Sequence, residues 1–264
     1  MLAGSVLGSL FGGPIGSIIG AVLGHQAEKF IRGGGESIAR KSGRMAGGGS
    51  YASLSERRRT MIFCASAAAM LAKMAKADGH VSRIEIARVE EAFARLGFRA
   101  SAREYAVGVF RKAKDDGHTI YEYAREFAGV VESVEVRELF YELLWDVACA
   151  DGGVSSEELA ILQRMPSELS IRSDWYAYFY NVRIGGSSRE REPVDELAEA
   201  YRLLGASASE SDDEVKRKYR ELAKKNHPDA LRAQGLPEAM VGKATERMGR
   251  INDAWAKIRA ARRI

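Results

Sequence analysis

Apolar and small residues follow three different rhythms along the chain. From Met1 to His25 they run without a single Asp, Glu, Lys or Arg, and Gly4, Gly8, Gly12, Gly16, Gly20 and Gly24 recur at an unbroken spacing of four. On a helix that spacing makes one slowly drifting stripe, flanked by a second stripe of Ser5, Ser9, Gly13, Ser17 and Ala21. The pattern predicts a transmembrane helix, because at about 1.5 Å per residue the uncharged run crosses roughly 30 Å of hydrocarbon. Leu7, Leu10, Ile18, Val22 and Leu23 would then face acyl chains, while the bare glycine face admits a second helix and pairs the protein into a homodimer. A flexible glycine-rich leader is the competing reading, opposed by the strict spacing and by the aliphatic residues between the glycines. Pro14 should kink the span.

The second rhythm runs from Tyr51 to about Arg183, where apolar positions recur every three or four residues between short polar breaks and no run alternates as a strand would. The third begins at Asp195. A short amphipathic helix (DELAEAYRLLG) is followed by a break, by a second helix (DDEVKRKYRELAKKN), by His-Pro-Asp, and by a last helix from Pro237 to about Arg262. Val215, Tyr219, Leu222 and Ala223 line one face of the second helix. Met248, Ile251, Trp255 and Ile258 repeat at matching spacing in the last, so the two are expected to pack antiparallel as a helical hairpin. The whole chain reads as all-α.

Composition sets the boundaries. Of the 27 glycines, 14 fall in the first 50 residues, and the runs Gly33 to Ser50 and Gly185 to Asp195 read as linkers. The organisation is therefore 1–27 membrane and glycine-zipper segment, 28–50 basic glycine-rich linker, 51–183 helical domain, 184–194 linker, and 195–264 C-terminal domain. Between Glu28 and Arg59 stand 8 basic residues against 3 acidic ones, and with a net charge of +4 for the chain everything after them sums to −1. Basic residues after the apolar run, instead of before it, argue against a secretory signal. They place the folded domains in the cytoplasm on a single-pass inner-membrane anchor. A basic patch confined to a linker gives no folded basic face for nucleic acid. Cys64 and Cys149 lie in alanine-rich apolar stretches with no ligand companions and are expected to be buried, reduced thiols.

The helical domain contains an internal echo: AKADGHVSRIEIARV at Ala75 to Val89 and ACADGGVSSEELAIL at Ala148 to Leu162 share A, A, D, G, V, S and E at equal offsets. In each, a helix ends at Asp-Gly, and Ser82 or Ser155 caps the next helix with Glu85 or Glu158 three residues on. Asp78 and Asp151, with Glu85, Glu158 or Asp146, offer a divalent-metal alternative, but the dense DxDxDG spacing of a calcium loop is missing. No metal or cofactor site is expected. The motifs of hydrolases, metalloproteases, P-loop enzymes and dinucleotide binders are lacking, so no intrinsic catalysis is expected either.

The tripeptide His227, Pro228 and Asp229 follows a helix that Ser211 caps and whose Lys216, Arg217, Arg220, Lys224 and Lys225 lie largely opposite its apolar face. Proline fixes a backbone angle, histidine supplies a directional ring and aspartate an anion beside cations. A partner of matching charge would be gripped in one orientation. The bland reading is that the tripeptide only ends a helix.

The two ADGxVSxxE units make residues 51–183 resemble the TerB-like family, which implies an interaction domain and no reaction. YRLLG, EVKRKYRELAKKNHPD and INDAWAKI resemble a J-domain, the module by which co-chaperones engage DnaK-type chaperones. The QGLP run at Gln234 to Pro237 and the order of the parts are similar to the DjlA branch of membrane-anchored co-chaperones. The resemblance implies that His227, Pro228 and Asp229, with the cations just named, bind a DnaK-type ATPase and stimulate its ATP hydrolysis. The TerB-like domain would receive an unidentified client or regulator. Lys218, Ala230 and Trp255 depart from the J-domain pattern without touching the tripeptide. The rival function is a membrane scaffold of the stress response, or a divalent-metal-responsive protein, working through the TerB-like domain.

Overall fold

The computed structural model describes residues 13–23, 55–76, 100–149, 153–185 and 196–264, with a few single helical positions between 87 and 94. Gly4, Gly8, Gly12, Gly24, residues 28–50 and 186–195, and Asp78, Ser82, Glu85 and Asp151 lie outside the described residues. Within them the chain is helical, and no strand occurs.

The bundle is organised around α2 (Glu56–Ala75), whose residues from Met61 to Ala72 are buried on every side. A helix apolar all round belongs in the middle of a core, and its alanines allow neighbouring helices to come close. α3 (Ala100–Ala113) and α4 (Ile120–Val130) pack on it. α5 (Val134–Ala148), α6 (Ser156–Glu168) and α7 (Trp175–Arg183) complete the bundle. Phe63 of α2, Phe127 of α4 and Phe140 of α5 meet at the junction, with ring centroids 4.2 to 5.8 Å apart. Burying each ring contributes about 2 kcal/mol. Capping boxes start α4 at Thr119 and Glu122 and α6 at Ser155 and Glu158, the second as the repeat predicts. Cys64 is fully buried, and burial pushes its thiol far up. Cys149, at the C-cap of α5, is only half-buried, because α5 ends there at the edge of the bundle.

The N-terminal segment differs from expectation where it is described. Pro14–Leu23 forms a ten-residue helix, α1, and Ile15, Ile18, Ile19 and Val22 are buried against α2, α3 and α4. Ile18 and Val22, expected to face lipid, thus face protein. Among the described residues no helix is long and apolar enough to cross a membrane. The physical reason is visible at the N-terminus of α1, where the Glu126 carboxylate accepts hydrogen bonds from the Ile15 and Gly16 N–H groups at 2.5 and 3.3 Å. An anion there complements the helix dipole while the groove covers the apolar face.

The C-terminal unit consists of α8 (Glu196–Leu204), α9 (Asp212–Asn226), the six-residue α10 (Pro228–Ala233), a 3-10 turn at Glu238–Met240, and α11 (Val241–Arg262). α8 ends on Gly205, whose φ of +63° lets the Ala206 N–H reach back to the Tyr201 carbonyl. α8 and α9 both pack on α11. The core holds Leu203, Leu204, Val215, Leu231, Ile251 and Ile258, and Trp255 stacks on Tyr219 with ring centroids 4.8 Å apart. Arg262 ties the end of α11 back to Asp212 at 2.7 Å and to the Glu210 carbonyl at 2.8 Å.

Candidate partner-binding face

α9 forms where it does because Ser211 and Glu214 make a capping box, acids fill its first turn, and Lys224 and Lys225 fill its last. Its apolar face is pinned by Val215, which is fully buried, and by Tyr219 and Leu222 against the α11 side. That leaves Lys216, Arg217, Arg220, Lys224 and Lys225 exposed, as their spacing predicts. Arg217 pairs with Glu221 one turn on, at 3.0 Å. Lys218 does not join the basic face. It reaches Glu210 at 2.5 Å and the Gly205 carbonyl at 2.8 Å, bracing the loop between α8 and α9.

The tripeptide is more ordered than a connecting loop. His227 ends α9 in an extended conformation and serves as the N-cap of α10, its Nδ1 accepting the Asp229 N–H at 3.2 Å. Pro228 occupies the first helical position, where a missing N–H costs nothing. This contact fixes the His227 ring against the turn. Asp229 is held by Arg232 at 2.9 Å, and Arg232 in turn grips Glu238 at 3.0 Å. The side chains of His227 and Asp229 are 55% and 74% exposed. The structure thus brings all eight sequence-predicted residues onto one stretch of surface, a helix face and the turn that follows it. Of the glycine stripe, only Gly16 and Gly20 are described, in α1.

The opposite side of the unit was not foreseen. Lys243, Arg247 and Arg250 of α11 lie on Glu138, Glu142 and Asp146 of α5. Glu142 meets Lys243 at 3.1 Å and Arg250 at 2.6 Å, while Arg247 pairs with Glu138 and Lys243 with Asp146. Glu142 and Arg247 are each 1% exposed. The Trp175 indole donates to Glu138 at 2.7 Å and lies under the Arg247 guanidinium. Burial alone would raise the Glu142 carboxyl, but Lys243, Arg250 and Arg247 outweigh it and hold it below the ordinary carboxylate range. The signal was present as two charge stripes, each at helical spacing. It went unread because a charged stripe ordinarily faces water. Asp146, one of the weighed metal ligands, is occupied by Lys243 and Arg183, and among the described residues no group of three His, Cys, Asp or Glu could hold a metal ion.

Residues 65–177 match the model of the tellurite resistance protein TerB, and residues 199–262 match the DnaJ domain. A TerB-like bundle carrying a DnaJ domain defines the class: a J-domain co-chaperone. The chain is 30% identical to the co-chaperone protein DjlA of Photobacterium profundum, covering 98% of this chain and 96% of the relative. It is 30% identical to that of Coxiella burnetii over 72% of this chain and 73% of the relative, and 26% identical to that of Escherichia coli (strain K12) over 77% and 81%. This chain belongs to the DjlA co-chaperone family. No solved structure is significantly similar to it. These matches support the co-chaperone reading and add nothing to the scaffold or metal-responsive alternative.

Proposed function

We propose that the protein recruits a DnaK-type ATPase through His227, Pro228 and Asp229 together with Lys216, Arg217, Arg220, Lys224 and Lys225, and stimulates its ATP hydrolysis. The observation that carries this reading is the exposure of His227, Asp229 and the five cations while the other face of the DnaJ domain is buried against the bundle. The protein acts as a ligand: binding accelerates hydrolysis by favouring the partner's hydrolysis-competent state. The rigid turn at Pro228 and the fixed, exposed His227 ring give directionality, and the α9 cations give attraction and register.

The uncharged N-terminal run and the basic residues after it support a membrane tether with the folded units on the cytoplasmic side; engaging the bilayer requires α1 to leave the groove in which Ile15, Ile18, Ile19 and Val22 are buried, and the glycine spacing supports pairing through the segment so released. The TerB-like bundle is the part free to hold a client or regulator. The test is single-turnover ATP hydrolysis by a DnaK-type chaperone, with and without the full chain, using His227→Gln as control. Stimulation absent from the variant is the expected result. Equal stimulation by both proteins would overturn the assignment.

A further inference from the structure

The charge contact between α5 and α11 joins two units that the sequence separates by a linker. Glu138, Glu142 and Asp146 are spaced by four along α5, and Lys243, Arg247 and Arg250 by four and three along α11, so each set forms a single stripe. Water does not reach the middle of the contact, where Glu142, Arg247, Lys243 and Glu138 are all at most 7% exposed. Each of these buried charges lies against an opposite charge, which offsets the loss of water, although Arg247 Nε and Nη1 have no hydrogen-bond partner. The pairing extends beyond the two helices: Arg183 of α7 reaches Asp146, Trp175 of α7 bridges Glu138 and Arg247, and Ser133 before α5 bonds Gln234 after α10. A contact of this kind tolerates one register, because sliding α11 by a turn would leave buried charges unpaired.

We infer that this interlocked stripe fixes the DnaJ domain on the TerB-like bundle, so that the chaperone ATPase is recruited in one orientation relative to whatever the bundle holds. Glu138, Glu142 and Arg247 are then positioning residues, acting through α11 on the exposed face of α9. The inference rests on the J-domain reading for its functional consequence. The docking uses the side of α11 turned away from α9 and leaves His227 and Asp229 open. It also brings the bundle to the edge of the recruiting helix, since Arg172 and Asp174 line the same groove as Leu222 and Lys225 of α9. A partner seated on the last turn of α9 therefore meets the bundle as well.

The experiment is a distance distribution measured on the full chain between spin labels at Glu104→Cys on α3 and Ala260→Cys on α11, both exposed sites, in a Cys149→Ala background. Wild-type pairing should give one narrow distribution that does not change when the doubly labelled chain is diluted with unlabelled chain. Arg247→Glu, which sets a carboxylate against Glu138 and Glu142, should broaden it, and Glu138→Arg combined with Arg247→Glu should narrow it again. That rescue would not follow from a mere folding defect. If Arg247→Glu fails to fold, the milder Glu142→Gln should still broaden the distribution. A broad wild-type distribution, or one that Glu142→Gln and Arg247→Glu leave unchanged, would overturn the inference. So would the same narrow distance in a mixture of the two singly labelled chains, lost in Arg247→Glu, which would mean that the stripes join two copies. Failure of the recruitment reading shows up separately, as a chain that keeps the narrow distance yet does not stimulate ATP hydrolysis.

Discussion

His227 closes the turn onto Asp229 through Nδ1 while more than half of its side chain stays exposed. Replacing it with glutamine keeps a polar side chain but loses the rigid placement of both nitrogens. We expect His227→Gln to reduce stimulated ATP hydrolysis to the unstimulated rate while leaving the far-ultraviolet circular dichroism of the chain unchanged, because His227 is exposed and supports no core contact. Arg247 behaves in the opposite way. Its removal as Arg247→Met strands Glu138 in a buried site, at a cost of about 3–5 kcal/mol in urea unfolding. Pairing it with Glu138→Gln should recover most of that loss, since a buried ion pair replaced whole is far less costly than one that is broken. The stability difference between the single and double variants is the measurement.

At the scale of elements, helix boundaries were legible wherever short-range chemistry sets them. Ser155 with Glu158 forms the box its spacing predicts, and Ser211 caps α9 as expected, with Glu214 completing a box there as well. Ser211→Ala should cost about 1 kcal/mol, seen as a lowered thermal midpoint, by removing the acceptor for the Glu214 N–H. α1 was legible as a helix but not in its placement. An alanine Cβ at Gly13 would lie 2.7 Å from the Glu126 carboxyl carbon. Gly13→Ala should therefore displace the carboxylate from the α1 N-terminus and speed hydrogen exchange at Ile15 and Gly16. Unchanged exchange would show that Glu126 does not hold this helix. α10 was missed altogether, because six residues are too few for periodicity to register.

For the whole molecule, the linkage between the two units carries a pH signature. Glu142 is held below the ordinary glutamate value of 4.5 in the folded protein. A carboxylate with a depressed folded pKa contributes stability above its unfolded pKa and loses it as pH falls through the folded one. The α5–α11 contact should therefore be intact at neutral pH and weaken only in acid, below about 4.5. Distance distributions recorded at stepwise lower pH would broaden there in the wild type and much less in Glu142→Gln, which has no proton to gain.

The sequence by itself determined the helical class, the capping box of α6, the Ser211 cap and the exposed basic face of α9, while the reading of a TerB-like bundle and a DnaJ domain came from likeness to known families. The class, the caps and the exposed face depend on neighbours within a few positions along the chain, so spacing and residue type suffice for them. Only the tertiary structure decided that Ile18 and Val22 face the bundle, and that the two charge stripes face each other instead of water. Glu138 and Arg247 stand 109 positions apart, and nothing local distinguishes a stripe that will be buried by a complementary one from a stripe that stays solvated. The packing of one helical unit on another settles that, because it decides which charges lose their water and must find a partner.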